Sequence, residues 1–277
     1  ISYIITAENK FIWKKWEKLK IIGIITAMEE EFEEIANIMS EVKEKEISKL
    51  TFITGKINTK SVVLVKSGIG KVNAARVAQI MIDNFHIETI INVGSAGALN
   101  PLLNIGDIVI GEKLIQHDFD ITAFGHDKGY ITGVGDYISS DSQLIEKIKN
   151  SINNIANEEY KIKVGIIASG DIFCTAVEMK DKIYAKFNAD CVEMEGAAIA
   201  QVCYLDKIPF IIIRSISDSP NGKNAIVQNL AIGIELNLSL PAVKTNSLTV
   251  YNNAKLDVDK LESLNDLYLY NNGCLSS

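Results

Sequence analysis

The chain has 277 residues, 47% of them apolar, and a net charge of -7. That length suits one large α/β domain, alone or with a small appendage. No apolar run reaches the roughly 18 residues that cross a bilayer, and the acidic balance disfavours nucleic acid, whose binding needs clustered Lys and Arg. Small molecules or proteins remain as partners. Cys174, Cys191, Cys203 and Cys274 form no CxxC pair and no metal-ligand spacing, so no cysteine metal site is expected and the setting is read as reducing and cytoplasmic.

The first stretch, residues 1–19, starts at Ile1 without Met and lacks the apolar core of a signal peptide. It reads as an extension outside the fold, although Phe11, Trp13 and Trp16 among lysines also fit a membrane-surface helix. From there strand and helix alternate. LKIIGIITAM is a predicted strand and EEEFEEIANIM a helix; TFITGKI and SVVLVKSGI are paired strands, and KVNAARVAQIMIDNF a helix. TIINVGSAG and GDIVIGEKLI are strands, followed by a polar loop through Tyr137. DSQLIEKIKNSINNIA is a helix with an Asp cap, KVGIIASGD a strand and AVEMKDKIYAKF a helix. CVEME, GAAIAQVCYLD and PFIIIRSISD complete the series as strand, helix and strand.

Strands such as KIIGII, TIINV and FIIIRSI are apolar throughout, which requires cover on both faces. The expected fold is α/β, three-layer α/β/α with a central mixed, mostly parallel sheet, spanning residues 20–237. Ligands of such sheets sit beyond the carboxyl ends of the strands, here AMEEE, SGIGK, VGSAG, ASGDIF, VEMEG and SISDS. After Gly222 the character changes. LTVYNNAKL at 248–256 matches LYLYNNGCL at 267–275 with a period of 19 residues, like rungs of a leucine-rich or β-solenoid array. Two rungs are too few to bury a core, so residues 238–277 read as a repeat-like tail, a fragment of something larger or a fusion scar.

SGIGK at 67–71 is not a phosphate loop, because a Walker motif needs GxxxxGK followed by Ser or Thr and Val72 follows here. It reads as a turn whose backbone N–H groups can line a pocket. VGSAGAL lacks GxGxxG, so no dinucleotide is expected; its small residues fit a tight turn or a pocket floor equally. His117, Asp118 and Asp120 lack the ligand count of a metal site and are read as an exposed polar loop. Of Glu29, Glu30 and Glu31, at least two belong to a solvated first helical turn. Asp218 follows an apolar strand beside Arg214, where a structural salt bridge is the plain reading. Glu193 and Glu195 point the same way if strand geometry persists past Met194, and their charges then oppose each other.

In order, IIGIITAMEEE, KSGIGKVNAA, INVGSAGAL, GDIVI, HDFDITAFG, ASGDIF, CVEMEGAAIA and RSISD resemble the 5′-methylthioadenosine/S-adenosylhomocysteine nucleosidases of the nucleoside phosphorylase superfamily, from Lys20 to Ser219. The resemblance implies hydrolysis of the N-glycosidic bond between adenine and a 5′-thio-substituted ribose, with no cofactor. By that likeness Glu31 activates water, helped by Ser95 and Arg214, and Asp218, supported by Ser217, serves adenine N7. Glu195 and the Met194 region take the ribose hydroxyls, Phe173 stacks on the base, and the Cys174 backbone reads its edge. Met28 and Ile69 line the ribose side. Phe124 lies in a loop the family supplies from a neighbouring subunit, implying a homodimer, and His126 stands in that loop where an aromatic is common. Glu193 either shares the substrate side or holds the helix start or a nearby cation.

The chemistry fits those roles. Adenine leaves poorly as an anion, so N7 is protonated as the sugar becomes cation-like, and carboxylates near the sugar stabilise that charge. An Asp protonated at pH 7 needs a shift of about 3 units, about 4 kcal/mol, and hence an apolar or anionic pocket. A phosphate about 4 Å from Glu31 is repelled by about 4 kcal/mol per charge at an effective dielectric of 20, which favours water as nucleophile. The segment from Asn221 to Val250 holds no Phe, Trp or Tyr, where the family closes the site with an aromatic. Another purine nucleosidase or phosphorylase of this fold, such as a futalosine hydrolase, and a nucleoside-binding protein without turnover stay open as alternatives.

Overall fold

The structure, a computed structural model, describes residues 21–153 and 160–220, together with short strands at 4–5, 11–12, 247–251, 255–257, 266–270 and 274–276. Its main elements are β1 (Ile21–Thr26), α1 (Glu29–Asn37), β2 (Ser40–Ile47), β3 (Leu50–Ile57), β4 (Lys60–Lys66), α2 (Lys71–Asn84), β5 (Ile87–Ala98) and β6 (Ile108–Gln116). There follow β7 (Ile138–Ser139), α3 (Ser142–Asn153), β8 (Ile162–Ser169), α4 (Val177–Phe187), β9 (Cys191–Glu193), α5 (Gly196–Asp206) and β10 (Phe210–Asp218).

Side chains alternate across a strand, and here both faces are apolar and covered. Ile25, Ile90 and Ile212 pack with Ala74, Val77 and Met81 of α2 and with Ala197 and Ile199 of α5. Their neighbours Ile24, Ile91 and Ile213 pack on the opposite face with Ile35 of α1 and with Ile145 and Ile148 of α3. Helices thus cover a mixed sheet on both sides, as the apolar runs require. Its order is β9-β8-β6-β10-β5-β1-β4-β3-β2, with β7 beside β6. Strands β4, β1, β5 and β10 run parallel, β6, β8 and β9 form a second parallel run, and an antiparallel β10–β6 pairing joins the two.

Two features go beyond the sequence pattern. Strand β9 pairs with β5 as well as β8, placing Cys191 opposite Ala98 and Val192 opposite Gly97, so β5, β10, β6, β8 and β9 close on themselves. Strand β2, SEVKEKEI, carries no apolar stripe and is almost wholly exposed at the sheet edge. Charges along such an edge deter pairing with other chains. One expectation is corrected: the strand CVEME ends at Glu193, where pairing with β8 stops, and Glu195 has left strand geometry as the N-cap of α5.

Among the described residues no helix is long and apolar enough to cross a membrane. The N-terminal extension, the aromatic-free segment after Gly222 and the repeat-like tail fall outside the described residues except for the short strands. Of these, 247–251 pairs in parallel with 266–270, and 255–257 with 274–276; Leu248 lies opposite Leu267 and Leu256 opposite Leu275.

Candidate active site

The carboxyl ends of β1, β5, β9 and β10 converge on an open cleft, the place where sheets of this kind bind small molecules. The sequence-predicted contact residues meet there. Met28 and Glu31 follow β1, Ile69 precedes α2, and Ser95 lies on β5. Phe173 and Cys174 come from the loop between β8 and α4, Glu193, Met194 and Glu195 from the β9–α5 junction, and Arg214, Ser217 and Asp218 from β10. Phe124 and His126 lie outside the cleft lining. Phe124 is 82% exposed on a short turn, and His126 stacks on Tyr130 with ring centroids 4.2 Å apart.

The three consecutive glutamates separate as helix geometry demands. Glu29 bonds outward to Lys66, whereas Glu31 is buried and turns back over the start of α1. Its Oε2 accepts the N–H groups of Ala27 at 3.0 Å and Met28 at 3.2 Å, and its Oε1 that of Ser95 at 3.2 Å. Burial raises the Glu31 carboxyl above its ordinary range, against these donors and the Arg214 charge. Gly94 makes the seat, since a Cβ there would lie 3.0 Å from Glu31 Oε1.

Glu193 and Glu195, one residue apart from Met194 on either side, have different work. Glu193 Oε2 accepts from Arg214 Nη2 at 2.5 Å and from the N–H groups of Glu195 at 3.1 Å and Gly196 at 2.7 Å, while Ser169 donates to Oε1. It holds both the helix start and the buried cation. Arg214 itself is tied to Asn92 Oδ1 at 2.5 Å and to the Ile213 carbonyl at 2.9 Å. Burial works against its charge, but Glu193, Glu195 and Glu31 outweigh that and raise its pKa.

Glu195 accepts the Gly70 N–H at 2.8 Å, which is how the SGIGK turn enters the site; Gly70 adopts φ 101°, a conformation that favours glycine. Burial, then the Glu193 charge, push the Glu195 carboxyl up to about 7 from an ordinary 4.5. Because the folded value is raised, the stability this group contributes is complete below pH 4.5 and is lost as pH rises through 7. Glu195→Gln does not titrate, so its stability relative to wild type should rise by on the order of 3 kcal/mol between pH 4.5 and 8. Paired denaturant melts at the two pH values measure this, and a pH-independent difference would refute it.

Asp218 sits opposite Gly97, just past an irregularity in the β10–β5 register. A Cβ on Gly97 would approach Asp218 Oδ1 to 3.0 Å, so the small residues of VGSAG seat the two carboxylates against β5. Ser217 Oγ donates to Asp218 Oδ1 at 3.1 Å. Two expectations are corrected here. Arg214 pairs with Glu193 instead of Asp218. The surroundings of Asp218 are not simply apolar or anionic, because the Lys180 ammonium, on a side chain 2% exposed, pairs with Oδ2. Sequence reasoning passed over Lys180, although it shares the buried stripe of α4 with Ile183 and Phe187, a position where lysine is unusual. Asn92 and Ser169 were missed as well, whereas the Gly70 N–H bears out the expectation that the backbone of the SGIGK turn lines the pocket.

The polar-loop reading of His117, Asp118 and Asp120 holds only for Asp120, whose Oδ1 caps Thr122. His117 is 3% exposed, and its ring packs where a Gly170 side chain would be. Asp118 bonds Lys71 Nζ at 2.6 Å and the Asp171 N–H at 2.8 Å, tying the loop that carries Phe173 to α2. Among the described residues no group of three His, Cys, Asp or Glu side chains is placed to hold a metal.

A family model described as the phosphorylase superfamily matches residues 21–236. A 5′-methylthioadenosine/S-adenosylhomocysteine nucleosidase from Staphylococcus aureus strain JH9 is 43% identical over 204 residues, which cover 73% of this chain and 88% of the relative. The Neisseria meningitidis nucleosidase of the same name, solved with methylthio-immucillin-A, superposes with a TM-score of 0.73 at 38% identity, covering 79% of this chain and 96% of that one. The futalosine hydrolase of Helicobacter pylori gives a TM-score of 0.70 at 33% identity, over 74% and 88% of the two chains.

Proposed function

Since the chain belongs to the phosphorylase superfamily and, within it, to the 5′-methylthioadenosine/S-adenosylhomocysteine nucleosidases, we infer from that membership how its site works. The enzyme hydrolyses the N-glycosidic bond of 5′-methylthioadenosine and S-adenosylhomocysteine, releasing adenine and the 5-thio-substituted ribose. The observation that carries the division of labour is the pair of carboxylates lining one cleft, Glu31 seated on Gly94 and Asp218 on Gly97.

In this reading Glu31 accepts the proton of the attacking water, with its basicity raised by burial. Ser95 and Arg214 fix Glu31 and the water beside it. Asp218 delivers a proton to N7, its second oxygen steadied by Ser217. Glu195 receives the ribose hydroxyls and faces the sugar cation, and Glu193 positions Glu195 and Arg214 through the bonds described. Met28, Ile69 and Met194 flank the ribose, Phe173 stacks on the base and the Cys174 backbone meets its edge.

The exposed Phe124 turn, with His126, completes the neighbouring subunit's site in a homodimer. Buried, unpaired Cys174, Cys191 and Cys203 suit a reducing cytoplasm. Residues 20–237 form the nucleosidase domain, flanked by the extension and the repeat-like tail. No cofactor is required.

Gly97→Ala should lower kcat for adenine release about tenfold to a hundredfold by displacing Asp218, the scale expected of small misplacements, while the melting temperature changes little. Full activity would contradict the seating of Asp218. The substrate assignment is tested by offering 5′-methylthioadenosine, S-adenosylhomocysteine and futalosine in phosphate-free buffer. Release of the free purine with the highest kcat/KM for the first two, as adenine, is expected; base release from futalosine alone would overturn it.

A further inference from the structure

Lys180 is a lysine without a role in the reaction as described so far. It lies on the core face of α4, 2% exposed, and its ammonium bonds Asp218 Oδ2 and the Ser219 carbonyl, the latter at 3.3 Å. It does not line the cleft, so it acts on a substrate only through Asp218. Removing a lysine from water is costly unless something recovers the loss, and an apolar residue would fill this stripe of the helix more cheaply.

We propose that Lys180 is the positioning residue that supplies, through Asp218, the proton delivered to purine N7. This rests on the assignment of Asp218 to N7. In the resting site the ammonium and the carboxylate form an ion pair. As the bond from the anomeric carbon to N9 breaks and its electron pair moves into the purine, N7 gains basicity. One N–H bond of Lys180 breaks as an O–H bond forms on Asp218, and the proton on Asp218 passes to N7. The net change is one proton from Nζ to N7, leaving a carboxylate and a neutral amine. Solvent returns the proton once adenine has left.

The neighbouring titratable groups do not compete. The Cys174 thiol before α4 and the Cys191 thiol on β9 both feel Asp218, and burial pushes both upward, so they stay neutral near pH 7. Asp118, at the end of β6, is committed to Lys71, and Ser217 already donates to the other oxygen of Asp218. With Lys180 as the proton source, an ammonium beside Asp218 serves the delivery that an apolar or anionic pocket was expected to serve.

The test compares Lys180→Met and Lys180→Arg with wild type on 5′-methylthioadenosine and on 4-nitrophenyl 5-methylthioriboside, whose leaving group departs without protonation. For Lys180→Met, kcat on the nucleoside should fall about 100-fold, with the nitrophenyl substrate within about twofold of wild type. Relative to wild type at the same pH, its nucleoside activity should climb as pH falls from 8 to 6, because the proton must now reach Asp218 from solvent. Lys180→Arg keeps the charge but not a transferable proton, and should not restore activity. Parallel loss on both substrates, unchanged nucleoside turnover, or full rescue by Arg overturns the proposal. If Lys180→Met shows no cooperative melt, Lys180→Gln is measured in the same way with the same outcomes decisive. Failure of wild type to release adenine would instead strike the underlying functional reading.

Discussion

Glu31→Gln is expected to lower kcat for adenine release by about three orders of magnitude, within the range for loss of a general base, while the protein stays folded. An amide cannot take the proton of the attacking water. Its structural consequences are small and specific. The amide oxygen can still accept the Ala27 and Met28 N–H groups that bond Oε2, but the NH2 group then faces the Ser95 N–H that bonds Oε1. One unsatisfied contact costs about 1–3 kcal/mol, a modest shift in the melt. Steady-state adenine release together with thermal unfolding separates the two effects. Near-normal turnover in a folded variant would remove Glu31 from the chemistry.

Asp218→Asn should produce a loss of similar size, about 10² to 10⁴ in kcat, with a larger cost in stability than Glu31→Gln. The reason is Lys180. Its ammonium, on a side chain 2% exposed, loses its counter-charge, and breaking a buried ion pair typically costs about 3–5 kcal/mol. Asp218 is itself 23% exposed, which places the expected cost at the low end. Adding Lys180→Met to Asp218→Asn should recover most of that stability without recovering activity, a coupling that a double-mutant cycle measures directly. Additive losses in stability would mean that the pair is not the unit described.

Much of this arrangement is legible in the sequence because it follows from strand chemistry. Adjacent isoleucines in the apolar runs, Ile24 with Ile25, Ile90 with Ile91 and Ile212 with Ile213, divide between two cores as a sheet covered on both faces demands. Once the strands are placed, their carboxyl ends mark the cleft, and Glu31, Glu195 and Asp218 fall at those ends. What local pattern does not encode is pairing between distant segments. The β9–β5 contact that closes the sheet joins residues nearly a hundred positions apart, and it leaves only three residues of CVEME in strand form.

Glu193 and Glu195 diverge for that reason. One ends the strand within the Arg214, Ser169 and Gly196 bonds, and the other begins the helix beneath Gly70. The charged edge strand β2 escaped notice because it has no buried side to imprint a period. Lys180 escaped because a lysine in a helix normally marks the solvent face, and only the position of Asp218 explains its burial. The glycines of VGSAG left a turn and a pocket floor equally open; distances to the Glu31 and Asp218 oxygens decide for close approach by carboxylates.

The most direct test of hydrolysis at this site is incubation of the purified protein with 5′-methylthioadenosine in phosphate-free buffer made with ¹⁸O-labelled water. The expected result is stoichiometric adenine and 5-methylthioribose carrying the label at its anomeric oxygen, lost together with turnover in Glu31→Gln. Absence of adenine, or release that depends on added phosphate and leaves the sugar as its 1-phosphate, would contradict it.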